Sequence, residues 1–402
     1  MHLRLTLILA LTLACLFQPV SLDSTFADRI QLRQSNDEAS ADAPAAESPK
    51  ELLGEILIEA QDGGVLFQRN DGQLMILQAD DIAGKVKEND ASPPISQKEF
   101  AEQLLEELPE GFKIHKTNHY LVAYETERAY AKWIGNLYEG KLKKSFKRFW
   151  KNRRFRIKAN EPDFPLVAIV FSNKTSFTAW VQRELGKPPG DTLAYYNLMT
   201  NRVAMYDLTA DFGNGAGQNR DFEDILRDPR SIRMVTTIIH EGTHQLMFNT
   251  GLQTRLADTP YWLNEGIAMF FETPDFKRKQ GWRGPGKTNF ERLGGMLRYA
   301  KNRPEDSLET LLATDKRLQT GGLESANAYA ESWAMVHFLI NRKPAKFTQY
   351  LKHLAEKERD VIVDPNLEIN RPKIRIDDFK KFFGEDLAEL DAEFLLYVKT
   401  LK

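Results

Sequence analysis

At 402 residues, with 42% hydrophobic and 28% charged residues, the chain has the composition of an ordinary globular protein and the length for two or three structural units. Its 55 basic and 57 acidic residues leave a formal charge of −2, which excludes a globally basic polyanion binder, and no nucleic-acid partner is expected. A single cysteine, Cys15, excludes a disulfide framework.

The first residues have the pattern of a signal peptide over 1–27. Arg4 precedes an apolar run from Leu5 to Leu16, and the small residues of "STFA" suit cleavage after Ala27. The mature protein is then expected to be exported, periplasmic or extracellular. "LTLAC" also offers Cys15 for acylation, but Thr12 and Leu13 fit a lipoprotein signal less well. No later stretch reaches about 18 apolar residues, so no transmembrane span is expected.

Residues 28–51, with "SNDEASADAPAAESPKE", lack the large apolar side chains needed to order a core and are expected to be a disordered linker. A small β-meander follows within 52–95: three strands from about Gly54 to Ile82, separated by the turn signals "QDGG" and "RNDGQ". After the break at "DASPPIS", residues 98–228 are expected to form an αβ sheet part. "YLVAYET", "FPLVAIVFS" and "NRVAMYDL" are its strands, with helices over about Glu127–Asn152 and at "SFTAWVQREL". The first of these helices ends in "KLKKSFKRFWKNRRFRIK", Lys141 to Lys158, ten basic residues interleaved with Phe146, Phe149 and Trp150. A solvated helix face over a buried aromatic stripe accounts for it, and a weak contact with an anionic surface is the alternative. "GNGAGQ", Gly213 to Gln218, is a flexible loop without a phosphate-binding pattern.

From residue 229 on, helical patterns dominate. "DPRSIRMVTTIIHEGTHQLMFNTG" has Asp228 as N-cap, Pro229 at the first helical position and Gly251 just past the end. Ile232, Val235, Ile239 and Leu246 are expected to face the core, with Thr236, His240 and His244 on a separate face. Two histidines four apart on a helix bring both rings within reach of one zinc ion, and Glu241 lies where a base must stand. A catalytic zinc needs three protein ligands and one open position. The next helix, "YWLNEGIAMFFE", offers Glu265, twenty-one residues after His244 and across a turn-rich loop. Glu272, two turns further, can hold a ligand's second ring nitrogen. The last clear helices are "AYAESWAMVHFLI" and "LAELDAEFLLYVKTL". His337, in the former, fits a core or helix-surface histidine better than a catalytic one.

His240-Glu241-x-x-His244, followed by Trp262-Leu263-Asn264-Glu265-Gly266-Ile267-Ala268 with Glu272 seven beyond Glu265, resembles the gluzincin metallopeptidases, in the pattern of the aminopeptidase N and leukotriene A4 hydrolase group. The resemblance implies an α+β, zincin-like metallopeptidase domain over 98–402, one Zn2+ on His240, His244 and Glu265, and Glu241 as general base. It also implies a tyrosine that meets the tetrahedral oxyanion. Tyr329 stands in that place, with Glu331-Ser332 where the group has Lys-Gly. The layout is similar to a bacterial family of peptidase-MA-like proteins of unassigned activity.

The group's Gly-x-Met-Glu-Asn edge strand corresponds to "NRVAMYDL", which has no glutamate to hold a free amine. An endopeptidase or another amide hydrolase is therefore as compatible as an aminopeptidase. Val203, Ala204 and Met205 are expected to pair with an extended peptide or protein substrate by strand addition. The rival reading is a catalytically idle zincin-fold scaffold that binds peptides or envelope polymers.

Overall fold

The computed structural model describes residues 26–33, 51–92, 94–188, 190–209, 228, 230–275, 277, 281–282, 284–360 and 365–401. The leader up to residue 25 with Cys15, most of the linker (34–50), Pro229 and the "GNGAGQ" loop lie outside the described residues. The protein is mixed α/β, with two five-stranded sheets and a mostly helical C-terminal part. It divides into two compact units. One runs to Glu139 and resumes at Pro162; the other takes Gly140–Glu161 and the described residues from Asp228 on.

In the sheet-bearing unit, β1 (Phe26–Leu32), β2 (Glu51–Glu59), β3 (Val65–Arg69), β4 (Leu74–Leu77) and β5 (Ile82–Ser92) form an antiparallel sheet in the order β4-β3-β2-β1-β5. The turns use Gly63 and Gly72 at φ 90° and 85°, a conformation that favours glycine. Ile30, Leu52, Val65, Phe67, Leu77 and Ile82 close a small core. The expected three-stranded meander is thus larger, and residues 28–32 are strand rather than linker. β5 carries Lys85 and Lys87 on the sheet edge, where charge is tolerated because backbone pairing alone defines the strand.

The sheet docks on the rest of its unit through the Leu74 N–H, which donates to the Met199 carbonyl at 2.7 Å. Helix α1 (Gln97–Glu107) opens on a Ser96–Glu99 capping box and leads to β6 (Lys113–Lys116) and β7 (Tyr120–Tyr124). The helical stretch expected over Glu127–Asn152 is α2 (Arg128–Gly135), a π-helical segment (Asn136–Lys143) and α3 (Lys144–Lys151). Then come β8 (Leu166–Phe171), α4 (Lys174–Leu185), β9 (Ala194–Asn197) and β10 (Arg202–Tyr206), giving a second sheet in the order β6-β7-β8-β10-β9. β7, β8 and β10 run parallel and are buried throughout, as their unbroken apolar runs require.

Val203, Ala204 and Met205 do not form the expected edge. β10 pairs with β8 on one side and with β9 on the other, so its backbone is already engaged along both borders. The hairpin turns through Asn201 at φ 60°, whose N–H donates to the Asn197 carbonyl at 2.8 Å. That turn folds "AYYN" back as the outer strand, and the edge belongs to β9.

The helical unit comprises α3 with α5 (Ser231–Asn249), α6 (Tyr261–Glu272), α7 (Phe290–Tyr299), α8 (Ser307–Ala313), α9 (Lys316–Gln319), α10 (Gly322–Arg342), α11 (Pro344–Ala355), α12 (Pro365–Phe383) and α13 (Leu387–Thr400). α6 sits between neighbours on two sides. Against α10 it approaches so closely that a Cβ on Gly266 would lie 2.5 Å from Val336 Cγ2 and 2.7 Å from the Ser332 carbonyl oxygen. Against α3, Phe271 meets Phe146 and Phe149 at ring separations of 5.3 and 5.5 Å, and Phe270 meets Phe149 at 5.5 Å. The aromatic stripe of the basic segment is therefore turned inward, with Phe146 and Trp150 fully buried. Among the described residues, no helix is long and apolar enough to cross a membrane.

Candidate metal centre

Helix α5 carries the histidine pair. It begins at Ser231 rather than directly after Asp228, which instead accepts the Arg230 N–H on its carboxylate at 2.9 Å and the Ser231 N–H on its carbonyl at 2.9 Å. It ends at Asn249, with Gly251 at φ 76° just beyond, as expected. Val235, Ile239 and Leu246 face the core with Met234, Ile238 and Met247, whereas Ile232, second in the helix, is 49% exposed.

α6 packs on α5 and brings Glu265 to the imidazoles. The two Nε2 atoms of His240 and His244 are 3.1 Å apart. Glu265 places Oε2 3.2 Å from His240 Nε2 and Oε1 3.3 Å from His244 Nε2. Among the described residues these three are the group of histidine, cysteine and carboxylate side chains that can hold a metal ion. A tetrahedral ion with bonds of about 2.0 Å sets its ligand atoms about 3.3 Å apart, and the nitrogen pair and each nitrogen's nearest Glu265 oxygen are separated by about that much, the carboxylate facing His240 with one oxygen and His244 with the other. Two imidazole nitrogens and a carboxylate are donor types that suit a divalent metal ion such as zinc.

The charges of the cluster point the same way. Burial alone would push His240 down, but its bonds to Glu265 and Glu272 and their charges raise it well above the usual imidazole range. Burial would push Glu265 up, yet His244 and His240 hold it well below the usual carboxylate range. The imidazoles and the two carboxylates thus stabilise one another as an ion pair.

Glu272 does what its spacing suggests. Its Oε2 is 2.7 Å from His240 Nδ1, and because an ionised carboxylate only accepts, the bond orients the ring with Nε2 toward the cluster. Asn289 was not foreseen: its amide donates to Glu272 Oε1 at 3.0 Å, while its Oδ1 accepts the Arg292 N–H at the head of α7. Glu241 follows His240 on α5 and is half-buried.

Tyr329, on α10, has its hydroxyl 3.3 Å from that of Tyr261, the first residue of α6. Burial, then the charge of Glu265, pushes Tyr329 up to about 12, and the same two causes raise Tyr261 further. Both hydroxyls therefore keep their protons at neutral pH. Tyr261 is the site residue that sequence reasoning missed, although its place four residues before Glu265 puts it on the same helix face. Its N–H donates to Asp315, which is in turn held by the buried Arg375 at 2.8 Å.

The residues after Tyr329 have structural partners. Glu331 is fully buried, paired with Arg303 and Arg317 at 2.6 and 2.8 Å and bonded by the Ser307 hydroxyl. Ser332 supplies the carbonyl against Gly266. His337 is a core residue as expected, with its Nδ1 2.8 Å from the Tyr397 hydroxyl and its ring among Phe270, Trp333 and Tyr397.

No curated protein matches the chain. Residues 234–359 match a family model described as "Protein of unknown function (DUF1570)", a stretch that takes in His240, Glu241, His244, Glu265, Glu272 and Tyr329.

Proposed function

We propose that the protein is an exported zinc-dependent peptidase of zincin-like fold, with His240, His244 and Glu265 as the zinc ligands and Glu241 as general base. The observation that carries this reading is the convergence of the two Nε2 atoms, 3.1 Å apart, on the Glu265 carboxylate, whose two oxygens lie 3.2 and 3.3 Å from them, with Glu272 bonded to the far side of the His240 ring. When bound, zinc supplies a Lewis acid that polarises a peptide carbonyl and acidifies water. Glu241 takes the proton as water attacks the carbonyl and returns it to the leaving amine. Tyr329, with Tyr261 beside it, offers a protonated hydroxyl to the negative charge that develops on the carbonyl oxygen. Glu272 keeps His240 in the orientation this requires.

The test is metal content together with hydrolysis. The purified protein is expected to hold one zinc per chain, Glu265→Ala to lose it, and Glu241→Gln to keep it while hydrolysis of a peptide library stops. Metal-replete protein without zinc would remove the site. Full hydrolysis by Glu241→Gln would remove the base assignment, and zinc without hydrolysis of any peptide would leave a metal-binding scaffold.

A further inference from the structure

The chain's charge is strongly segregated. Lys141 to Lys158 holds ten of the 55 basic residues and no acidic one, which leaves 45 basic residues against 57 acidic ones elsewhere. Three of the ten are used within the helical unit. Lys143 and Lys147 pair with Glu161, and Arg154 donates to the Ile340 and Asn341 carbonyls at 3.0 and 3.2 Å.

The remaining seven are exposed, and those on and just before α3 share a helix face. Lys141, Lys144, Arg148 and Lys151 recur at spacings of three, four and three, the period of one helix face, and all are exposed. Beyond α3, Phe155, Ile157 and Ala159 are buried while Arg156 and Lys158 between them are exposed, and Arg153 is exposed as well. None of these seven makes an ion pair among the described residues. Seven cations within eighteen residues, with no ion pair among the described residues, repel one another, a cost that an external anionic surface reduces.

We infer that this face of α3 and the strip after it is a docking surface for an anionic phospholipid bilayer. Three observations select that partner. Phe146, Trp150 and Phe155 are buried and the half-buried Phe149 packs on Phe270 and Phe271, so the rings of this stripe are engaged inward rather than offered to nucleic-acid bases. The same burial leaves no large apolar side chain on this face to enter the acyl layer, so the contact is one of charge alone. A helix face followed by a turn through Phe155, with Arg156 at φ 54°, spaces its cations unevenly, which mobile lipid headgroups can follow and the fixed phosphates of a duplex cannot. Clusters of about four to eight Lys and Arg on such a helix match anionic membrane surfaces.

The test is co-sedimentation of the full-length protein with phosphatidylcholine vesicles and with vesicles that also contain phosphatidylglycerol, beside the K144E/R148E/K151E variant. Any contribution of the apolar leader is common to both chains and both vesicle types. Phosphatidylglycerol-dependent binding is expected in the parent, weakened by salt and reduced on the order of a hundredfold in the variant. Equal binding by parent and variant, or no gain from phosphatidylglycerol, would overturn the assignment. Binding of the parent to duplex DNA with no gain from phosphatidylglycerol would overturn it in favour of a nucleic acid.

Discussion

Glu272 acts on the metal site only through His240, so its removal separates orientation from ligation. Glu272→Ala is expected to fold normally and to bind zinc about 10 to 100 times more weakly, the usual effect of removing such a partner. Zinc titration against a competing chelator measures it, and an unchanged affinity would mean that the 2.7 Å contact does not hold the ring. His337 makes a different prediction. Burial lowers it from 6.5 to about 4, so the folded protein favours the neutral ring. That preference stabilises the fold fully above pH 6.5 and is lost as pH falls toward 4, a span worth about 3 kcal/mol. Urea midpoints taken between pH 7 and 4 should therefore fall less steeply for His337→Gln than for the parent; parallel curves would refute the assignment. The proposed ligands and Glu272 were legible in the sequence because each pair falls on one helix at a spacing that fixes its direction. The Tyr261–Tyr329 contact and Asn289 were not, since they join separate elements and leave no local pattern.

Between elements, α6 approaches α10 at Gly266, next to the proposed ligand Glu265. Gly266→Ala would press a methyl group on the Ser332 carbonyl, which belongs to a helix backbone and cannot swing aside. A loss of about 1–3 kcal/mol is expected, with weaker zinc binding as Glu265 shifts. Gly294→Ala, on α7, is the control, because its Cβ meets only the end of the Arg298 side chain at 3.3 Å and helix propensity favours alanine by up to about 1 kcal/mol. Calorimetry on the two variants decides the point; equal stabilities would mean that the helices can part at no cost. The same scale shows where sequence patterns carry information and where they do not. β7, β8 and β10 and the long helices announce themselves through apolar runs or helical periodicity. β1, β5, β6 and β9 are short or polar and exist because a neighbour's backbone pairs with them. That missing signal also explains the misplaced edge: β10 looks terminal until β9 is recognised.

For the whole molecule, the two units interleave along the chain. The strands of the second sheet are divided by Gly140–Glu161, which belongs to the helical unit. Composition foresaw two or three units but not this order, since hydrophobicity does not record which residues the chain revisits. The aromatic stripe of α3 finds its partner in Phe271. From Phe146 to Phe271 the ribosome must add 125 residues, a delay on the order of 6 to 25 s at ordinary elongation rates. Throughout that interval Phe146, Phe149 and Trp150 lie among ten cations without Phe271 to pack on, and β8 to β10 are made within its first half. A segment of this kind, aromatic, basic and waiting for a distant mate, is what holdase chaperones recognise.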